Sequence, residues 1–414
     1  MTHTGGQAKS FAMSDRRDTP EQAEFRQYCR RWIEEHRPPA PSFRLPINPI
    51  EVTTAEQRRY LAGWQKRCYE AGLIACDYPK EAGGGGHKGF QTVASQELGR
   101  ARVPFLLNVI GLSMAAPTIL HHGTAEQKAR FLPPLFAADE IWCQGFSEPG
   151  AGSDLANAQA SAVRQGDHWV VNGHKVWTSL AHFASWMIMI CRHSTAHKYD
   201  GLTYFIVPIA DTKGVTVRPL IKITGETGFN EVLFEDVVVP DTLRLDDVGK
   251  GWTVAMTTLL HERGAAEGAG SGGGGSFEQE LGALIALAKR TRRNGKTAWD
   301  DGVVRDKLMQ LLVRAEGLRQ TARRMRVESL SDHPMRLPLQ AKVLMTELMQ
   351  DIGACGVEIA GAGASRYLGD PAAPDGGHWP HAYMNSYGMT IAAGSNEIQR
   401  NILGERILGL AKSK

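Results

Sequence analysis

A chain of 414 residues, 42% of them hydrophobic, has enough apolar surface for two or three domains, and its net charge of +3 is too small to mark a nucleic-acid or anionic-membrane partner. No apolar run approaches the roughly 18 residues that a membrane helix needs, so no membrane span is expected. The 6 cysteines lack paired or metal-like spacing and the 14 histidines form no His-x-x-x-His array, which argues against a disulfide framework and against a bound metal.

The N-terminus has no basic region followed by an apolar one, so no secretory signal is expected. With thiols that read as those of a reducing compartment, the chain is taken as cytoplasmic. Residues 1–19 are polar and read as a disordered tail. A helix is predicted over 21–36, where Phe25, Tyr28, Cys29 and Trp32 recur at helical spacing, and Arg37-Pro38-Pro39 stops it. A second is predicted over 54–71, with Thr54 as N-cap and Gly72 just past its end. Helices over 90–98, 105–111, 115–121 and 125–136, the last with an N-cap signature at 123–127, complete an all-helical domain over 20–138.

From Ile141 the texture changes. Short β-rich runs at 158–164, 169–171, 186–191, 202–208, 215–219 and 231–240 are separated by turns at Gly166-Asp167, Asn172-Gly173, Asp200-Gly201 and Lys213-Gly214. They predict a small antiparallel β-barrel or sandwich over 139–247. Helical spacing returns at Gly251, with Trp252, Ala255, Met256, Leu259 and Leu260 on one face. The Gly-rich stretch after it ends in Ser-Gly-Gly-Gly-Gly-Ser at 271–276, which has the composition of a flexible linker. Helices over 277–293, 301–330 and 335–361, a loop over 368–379 and a last helix from Asn396 suit a four-helix bundle over 248–414. The fold class is therefore a multi-domain α+β chain: helices, then a β-barrel, then a helical bundle.

Three stretches carry the functional signal. Residues 142–154 read Trp-Cys-Gln-Gly-Phe-Ser-Glu-Pro-Gly-Ala-Gly-Ser-Asp; Gly150 and Gly152 let backbone approach a flat ligand, and Ser147 and Ser153 offer hydrogen bonds. Residues 172–179 read Asn-Gly-His-Lys-Val-Trp-Thr-Ser. Residues 391–410 read Ile-Ala-Ala-Gly-Ser-Asn-Glu-Ile-Gln-Arg-Asn-Ile-Leu-Gly-Glu-Arg-Ile-Leu-Gly-Leu. In this order and spacing the three resemble the acyl-CoA dehydrogenase family, and the resemblance runs over about 19–410.

The resemblance implies FAD-dependent α,β-dehydrogenation of an acyl-CoA thioester to a 2-enoyl-CoA, with the β-hydrogen leaving as hydride to flavin N5. Gln144, Phe146 and Ser147 match the strand beside the flavin ring, with Ser147 near N5, while Gly152 and Ser153 match a turn that also touches substrate. Trp177, Thr178 and Ser179 match the wall on the ring's other face. Ser395, Asn396 and Glu397, at a helix start, match the diphosphate or adenosine end. The family's diphosphate-gripping Arg-x-x-Phe-Gly is altered here to a run holding Arg290, Arg292 and Asn294-Gly295, of which Arg290 or Arg292 is the candidate phosphate contact. The Gly353-Ala-Cys-Gly356 run stands in place of the adenine-side glycine motif.

The commonest catalytic base of the family is a Glu at the position held here by Ala393, which cannot take a proton. A branch of the family carries its base at the Glu of a Glu-Arg pair on the first helix of the bundle, and Glu262-Arg263 falls there. A carboxylate in an apolar pocket is expected to titrate closer to neutrality. Glu397 is the competing carboxylate, better explained by its place in the first turn of a helix. Arg263 is expected to shape the pocket or pair with another carboxylate. The backbone N–H of Ala393 is expected to donate to the thioester oxygen, beside the ribityl hydroxyl of FAD. The departures point to an acyl group other than a straight medium chain. The expected partners are an electron-transferring flavoprotein as electron acceptor and further copies in a homodimer or homotetramer. Two other readings stay open: a flavin oxidase or monooxygenase on the same scaffold, and a non-catalytic subunit of a hetero-oligomeric dehydrogenase.

Overall fold

A computed structural model describes residues 18–269, 277–325, 327–330, 333 and 335–412. Most of the predicted tail and the Ser-Gly-Gly-Gly-Gly-Ser stretch lie outside the described residues.

The N-terminal helices are α1 (Pro20–His36), α2 (Ala55–Glu70), α3 (Phe90–Ala101), α4 (Ala116–His122) and α5 (Ala125–Phe136). α1, α2 and α5 each start at a threonine, Thr19, Thr54 and Thr124, whose hydroxyl and a glutamine three residues on satisfy each other's backbone amides. The helix expected over 105–111 is not formed over 105–108. There the buried Asn108 is committed to side-chain bonds instead. Its amide donates to Leu135 O (2.9 Å) and Glu140 O (3.0 Å), and its Oδ1 accepts from Trp142 N (3.0 Å), which pins the helices to the first strand. α4 is preceded by a π-type turn over Gly111–Ala115, closed by Ala116 N to Gly111 O. Pro117 explains it: proline has no N–H for the carbonyl four residues back, and the widened turn relieves the clash of its ring.

The strands are β1 (Trp142–Gly145), β2 (Ser161–Gln165), β3 (His168–Ser179), β4 (Trp186–Arg192), β5 (Leu202–Pro208), β6 (Val215–Leu220), β7 (Phe229–Pro240) and β8 (Arg244–Leu245). They form one sheet in the order β6-β7-β3-β2-β4-β5-β8, with β1 also beside β4. Pairing is antiparallel except at β1–β4 and β2–β4. β4 and β5 read as continuous apolar runs because both faces are buried. Met187, Met189, Phe205 and Val207 join Trp169, Val232 and Val237 in one cluster. Ile188, Ile190, Tyr204 and Ile206 join Trp64, Ile119 and Phe131 of the helices, together with Val254 and Ala255 of the next helix. One core therefore joins all three parts of the chain, and the site lies along it.

The C-terminal part consists of α6 (Gly251–Ala269), α7 (Phe277–Arg290), α8 (Gly302–Arg324), α9 (Arg336–Ala360), α10 (His378–Ile391) and α11 (Asn396–Ile402). Leu281, Leu284, Leu308, Leu348, Ile352 and Trp379 fill the bundle. Three expectations are corrected. The helix expected to run to 293 stops at Arg290, and β9 (Arg292–Arg293) and β10 (Lys296–Thr297) form a hairpin instead. Its two central residues, Asn294 and Gly295, have φ of 48° and 81°, the left-handed pair that an Asn-Gly turn supplies. α8 ends at Arg324 rather than 330. Finally, α10 occupies a stretch for which no helix is predicted. It packs against α9 at Gly353 and Gly356: a Cβ on Gly356 would lie 2.1 Å from the Trp379 ring, and one on Gly353 2.9 Å from Tyr383 Cα. These two glycines serve a close helix crossing within the chain. Among the described residues no helix is long and apolar enough to cross a membrane.

Candidate active site

The first two motifs meet edge to edge. Val176 N donates to Ser147 O at 2.9 Å, and β1 runs beside β3. Beneath them lies an ion pair that sequence reading did not single out. The Lys175 ammonium, fully buried, is 2.7 Å from Glu148 Oε1, itself 8% exposed. The same ammonium donates to Phe146 O (3.2 Å) and Ile190 O (2.9 Å), while Glu148 accepts from Gln159 N (2.7 Å) and Ala160 N (2.9 Å). Burial pushes the Glu148 carboxyl up, but the charge and hydrogen bond of Lys175 and the two backbone amides outweigh it, and the net shift is downward. Four strand or loop segments are thereby fixed around one charge pair. A lysine set directly before Val176 and Trp177 in the second motif was the signal available for it.

Around this pair the motif residues present the features of a site for a flat, polar-edged ring. Trp177 is 59% exposed and has φ of 58°, at a bulge where the β3–β7 register shifts between Lys175 and Thr178. A bulky residue held in that region is strained, and such strain gathers at binding sites. Its ring is anchored edge-on against Phe229, 5.9 Å away. Among the described residues, Thr178 Oγ1 and Gln144 Nε2 are buried without a hydrogen-bond partner, as is Oδ1 of Asn230, the β7 residue paired with Thr178. Buried polar atoms in this state mark where a ligand's hydrogen bonds go. Gly150 and Gly152 have none of the described residues within 4 Å of where a side chain would start, so backbone is open to close approach there. Ser179 is buried beside Thr178, and Ser153 is exposed on the turn after Gly152. These residues fit the flavin that the sequence implies.

Glu262 is half-buried on α6. It connects to the first motif through Tyr204: the Phe146 and Tyr204 rings meet edge-on at 5.8 Å, and burial, with the charge of Glu262 adding to it, raises the Tyr204 hydroxyl. The hydrogen bond of Tyr204 Oη is to Thr258 Oγ1, at 2.9 Å, one helical turn before Glu262. The neighbouring His261 is stacked on His121 of α4 at 5.9 Å; burial and that second imidazole hold His261 below its ordinary value. The Arg263 side chain, expected to shape the pocket, lies outside the described residues.

The third motif is a clamped turn between α10 and α11. Ala393 and Gly394 have φ of 53° and 80°. Gln399 Nε2 donates to Ala393 O (2.8 Å) and Lys342 Nζ to Gly394 O (2.8 Å). Burial lowers the Lys342 ammonium to about 8, against the opposing charges of Glu397 and Glu347. Ser395 caps α11 by accepting from Ile398 N (3.4 Å). The Asn396 side chain is turned into the bundle, bonded to Thr346, Lys342 and Glu347. Glu397 sits exposed in the first turn of α11, where its own backbone amide and Ser395 lower its carboxyl. Within one chain, Arg290 pairs with Asp375 and Arg292 donates to Gly295 O at 3.3 Å, so neither is drawn to the first two motifs.

Comparison with known proteins follows the same division. Residues 19–139, 143–237 and 249–408 match the families described as the N-terminal, middle and C-terminal domains of acyl-CoA dehydrogenase. The chain is 37% identical over 364 residues to acyl-CoA dehydrogenase IpdE1 of Mycobacterium tuberculosis, a match that covers 86% of this chain and 89% of the relative. Among solved structures, the Tcur3481-Tcur3483 steroid ACAD superposes with a TM-score of 0.76 at 26% identity, covering 96% of this chain and 99% of that one. The ChsE4-ChsE5 complex from Mycobacterium tuberculosis superposes with a TM-score of 0.73 at 28% identity, covering 97% and 100%.

Proposed function

The chain belongs to the acyl-CoA dehydrogenase family, and from that premise we propose that it oxidises an acyl-CoA thioester to its 2-enoyl-CoA, with Glu262 as the base that removes the α-proton. It is an FAD-dependent enzyme, and the cofactor when bound supplies the acceptor for the hydride that leaves the β-carbon. What this chain contributes is placement. Gln144, Ser147 and Thr178 offer hydrogen bonds to the ring edge, Trp177 walls one face against water, and Gly152 with Ser153 lets substrate come close. The Ala393 N–H, in a turn held by Gln399 and Lys342, is the donor for the thioester oxygen as charge develops on it. Arg290 or Arg292 then serves the FAD of a neighbouring copy, in a homodimer or homotetramer.

The observation that carries the base assignment is the pairing of a loss with a gain. Alanine stands at 393, and a half-buried carboxylate stands on α6 within electrostatic reach of Tyr204, which touches the first motif. Glu397 is exposed and explained by its helix start. An acyl group wider than a straight chain, ringed or branched, suits this placement. The solved relative titled a steroid ACAD supports that direction. An anaerobic screen of acyl-CoAs for flavin bleaching tests it: bulky ringed thioesters should bleach the protein fastest, and a preference for straight medium chains would contradict it. Reoxidation should need an electron-transferring flavoprotein; oxygen consumption without one would instead favour an oxidase.

A second reading has an observation of its own. One solved relative is titled the ChsE4-ChsE5 complex and the other carries the double name Tcur3481-Tcur3483, and here Ala393 and the Asn294-Gly295 hairpin depart from the family pattern. In that reading this chain is one of two subunit types. A solution mass that is a multiple of this chain, with FAD bound and flavin reduced by substrate, would exclude it.

A further inference from the structure

The turn of the third motif holds a non-glycine residue in a left-handed conformation. Ala393 and Gly394, between α10 and α11, have φ of 53° and 80°. A Cβ at Gly394 would lie 2.6 Å from Gln399 Nε2, so glycine suits that position on both counts. Ala393 has a Cβ, and alanine left to itself prefers negative φ. The turn is held through its carbonyls. Fully buried Gln399 donates Nε2 to Ala393 O (2.8 Å) and Gly394 O (3.2 Å), but it belongs to the helix that the turn leads into. The anchor from outside is Lys342 of α9, half-buried in the bundle. Its ammonium has three hydrogens and meets three acceptors: Gly394 O (2.8 Å), Asn396 Oδ1 (2.8 Å) and, more loosely, Thr390 O (3.5 Å). The end of α10, the turn and the start of α11 are thereby tied to one cation. Among the described residues the Ala393 N–H makes no hydrogen bond, so it is open to a ligand.

We propose that Lys342 is a positioning residue for the reaction: it keeps Ala393 in the left-handed conformation and so fixes the direction of the N–H that meets the thioester oxygen. The proposal rests on the reading of that N–H as the donor. The φ rotation of Ala393 joins the peptide that carries the N–H to the carbonyls that Lys342 and Gln399 grip. While those carbonyls are tied, relaxation to negative φ has to break charge-assisted hydrogen bonds. Once Lys342 is removed, the strain on Ala393 has less to oppose it, and the N–H swings off the oxygen. A hydrogen bond weakens steeply away from linearity, and a donor stabilises developing charge only if it is already aimed. The loss therefore falls on the chemical step more than on thioester binding. It is also local. Asn396 Nδ2 still donates to Thr346 Oγ1 (3.1 Å) and Glu347 Oε1 (3.3 Å), and Ser395 still caps α11, so the helix keeps its place without the lysine.

The test uses the FAD-loaded full chain, with cyclohexanecarboxyl-CoA as reductant and its 2-enoyl product, cyclohex-1-enecarboxyl-CoA, as the bound probe. The thioester C=O infrared band of the probe moves to lower frequency when donors meet its oxygen. Lys342→Met fills the same length without a donor. Flavin reduction at saturation should slow about ten- to hundredfold, and the C=O band should return toward its free position. The dissociation constant of the probe should change by less than about threefold. Hydrogen exchange over 390–396, which needs no thioester, should quicken about tenfold or more. Ala393→Gly adopts positive φ without strain, so adding Lys342→Met in that background should slow reduction by no more than about threefold. Unchanged exchange over 390–396, an unchanged rate and band, or the same fall in both backgrounds would overturn the proposal. Should Lys342→Met not fold, Lys342→Gln, whose shorter amide cannot serve all three acceptors, replaces it with the same expectations. A parent whose band stays at the free position would instead defeat the reading of the Ala393 N–H as donor.

Discussion

Replacing Glu148 by glutamine tests whether the Glu148–Lys175 pair is what holds the cofactor side of the site together. The substitution is nearly isosteric but leaves the fully buried Lys175 ammonium without its counter-charge, facing the carbonyls of Phe146 and Ile190. Removing one partner of a buried pair costs about 3–5 kcal/mol. At about 2–4 °C per kcal/mol for a large domain, the melting temperature should fall by roughly 6–20 °C. FAD should be lost as well, because the pair fixes Phe146 directly and the Ser147–Val176 contact beside it. Thermal unfolding together with FAD retained after gel filtration measures both effects. Glu148→Gln combined with Lys175→Met removes both charges and should recover much of the loss, since a matched apolar replacement is often neutral. The pair also has a pH signature. The Glu148 carboxyl is held below its ordinary 4.5, so its contribution is fully present above pH 4.5 and is lost as the pH falls through the folded value. A Glu148→Gln protein that melts within about 2 °C of the parent and keeps its FAD would refute the reasoning.

Trp177→Ala should leave the melting temperature of the FAD-free protein nearly unchanged, because the ring is largely exposed, yet weaken FAD binding by about two- to tenfold, as loss of an aromatic contact of about 0.5–1.5 kcal/mol implies; a fluorescence titration with FAD reads it. Gly356→Ala drives a methyl to 2.1 Å from the Trp379 ring and should cost about 1–3 kcal/mol or more in urea unfolding, whereas Gly282→Ala, with open space around it in α7, should gain about 0.5–1 kcal/mol. Burial pushes the Glu226 carboxyl up, but His381, Lys222 and Thr224 bring it to about 2, so the loop joining β6 to β7 should stay docked on α10 above pH 4.5 and open as the pH falls from there toward 2; hydrogen exchange over 221–228 follows it.

Local chemistry made most of the helices and strands legible. The threonine caps at 19, 54 and 124, the turn glycines between strands and the apolar spacing of the N-terminal helices each act within a few residues. Where the reading failed, a local signal was often present but outweighed. Asn294-Gly295 is a strong two-residue hairpin signal, yet the helix expected over 277–293 runs up to its edge and over the strand Arg292–Arg293 that it turns. Gly376-Gly377 followed by Pro380 in the first turn announces the start of α10. Pro117 announces the π-type turn before α4. The site was legible as motifs but not as a network. Glu148 and Lys175 are 27 residues apart, and Thr118, Tyr204 and Thr258 come from three separate parts of the chain. Sequence shows that such groups exist; only the packing of helices on sheet decides which of them meet.

The most direct measurement of the central claim is the rate of flavin reduction by an acyl-CoA in Glu262→Gln, mixed anaerobically with substrate and compared with Glu397→Gln. A positioned general base contributes roughly 10²–10⁴-fold in rate, or about 3–5 kcal/mol of barrier. Glu262→Gln should therefore still bind FAD and acyl-CoA but reduce the flavin at least about a hundredfold more slowly, while Glu397→Gln, which removes only a charge at a helix start, should reduce it at close to the parent rate. Moving the carboxylate, with Ala393→Glu and Glu262→Gly together, should return part of the rate. Near parent-rate reduction by Glu262→Gln, or a collapse confined to Glu397→Gln, would contradict the account.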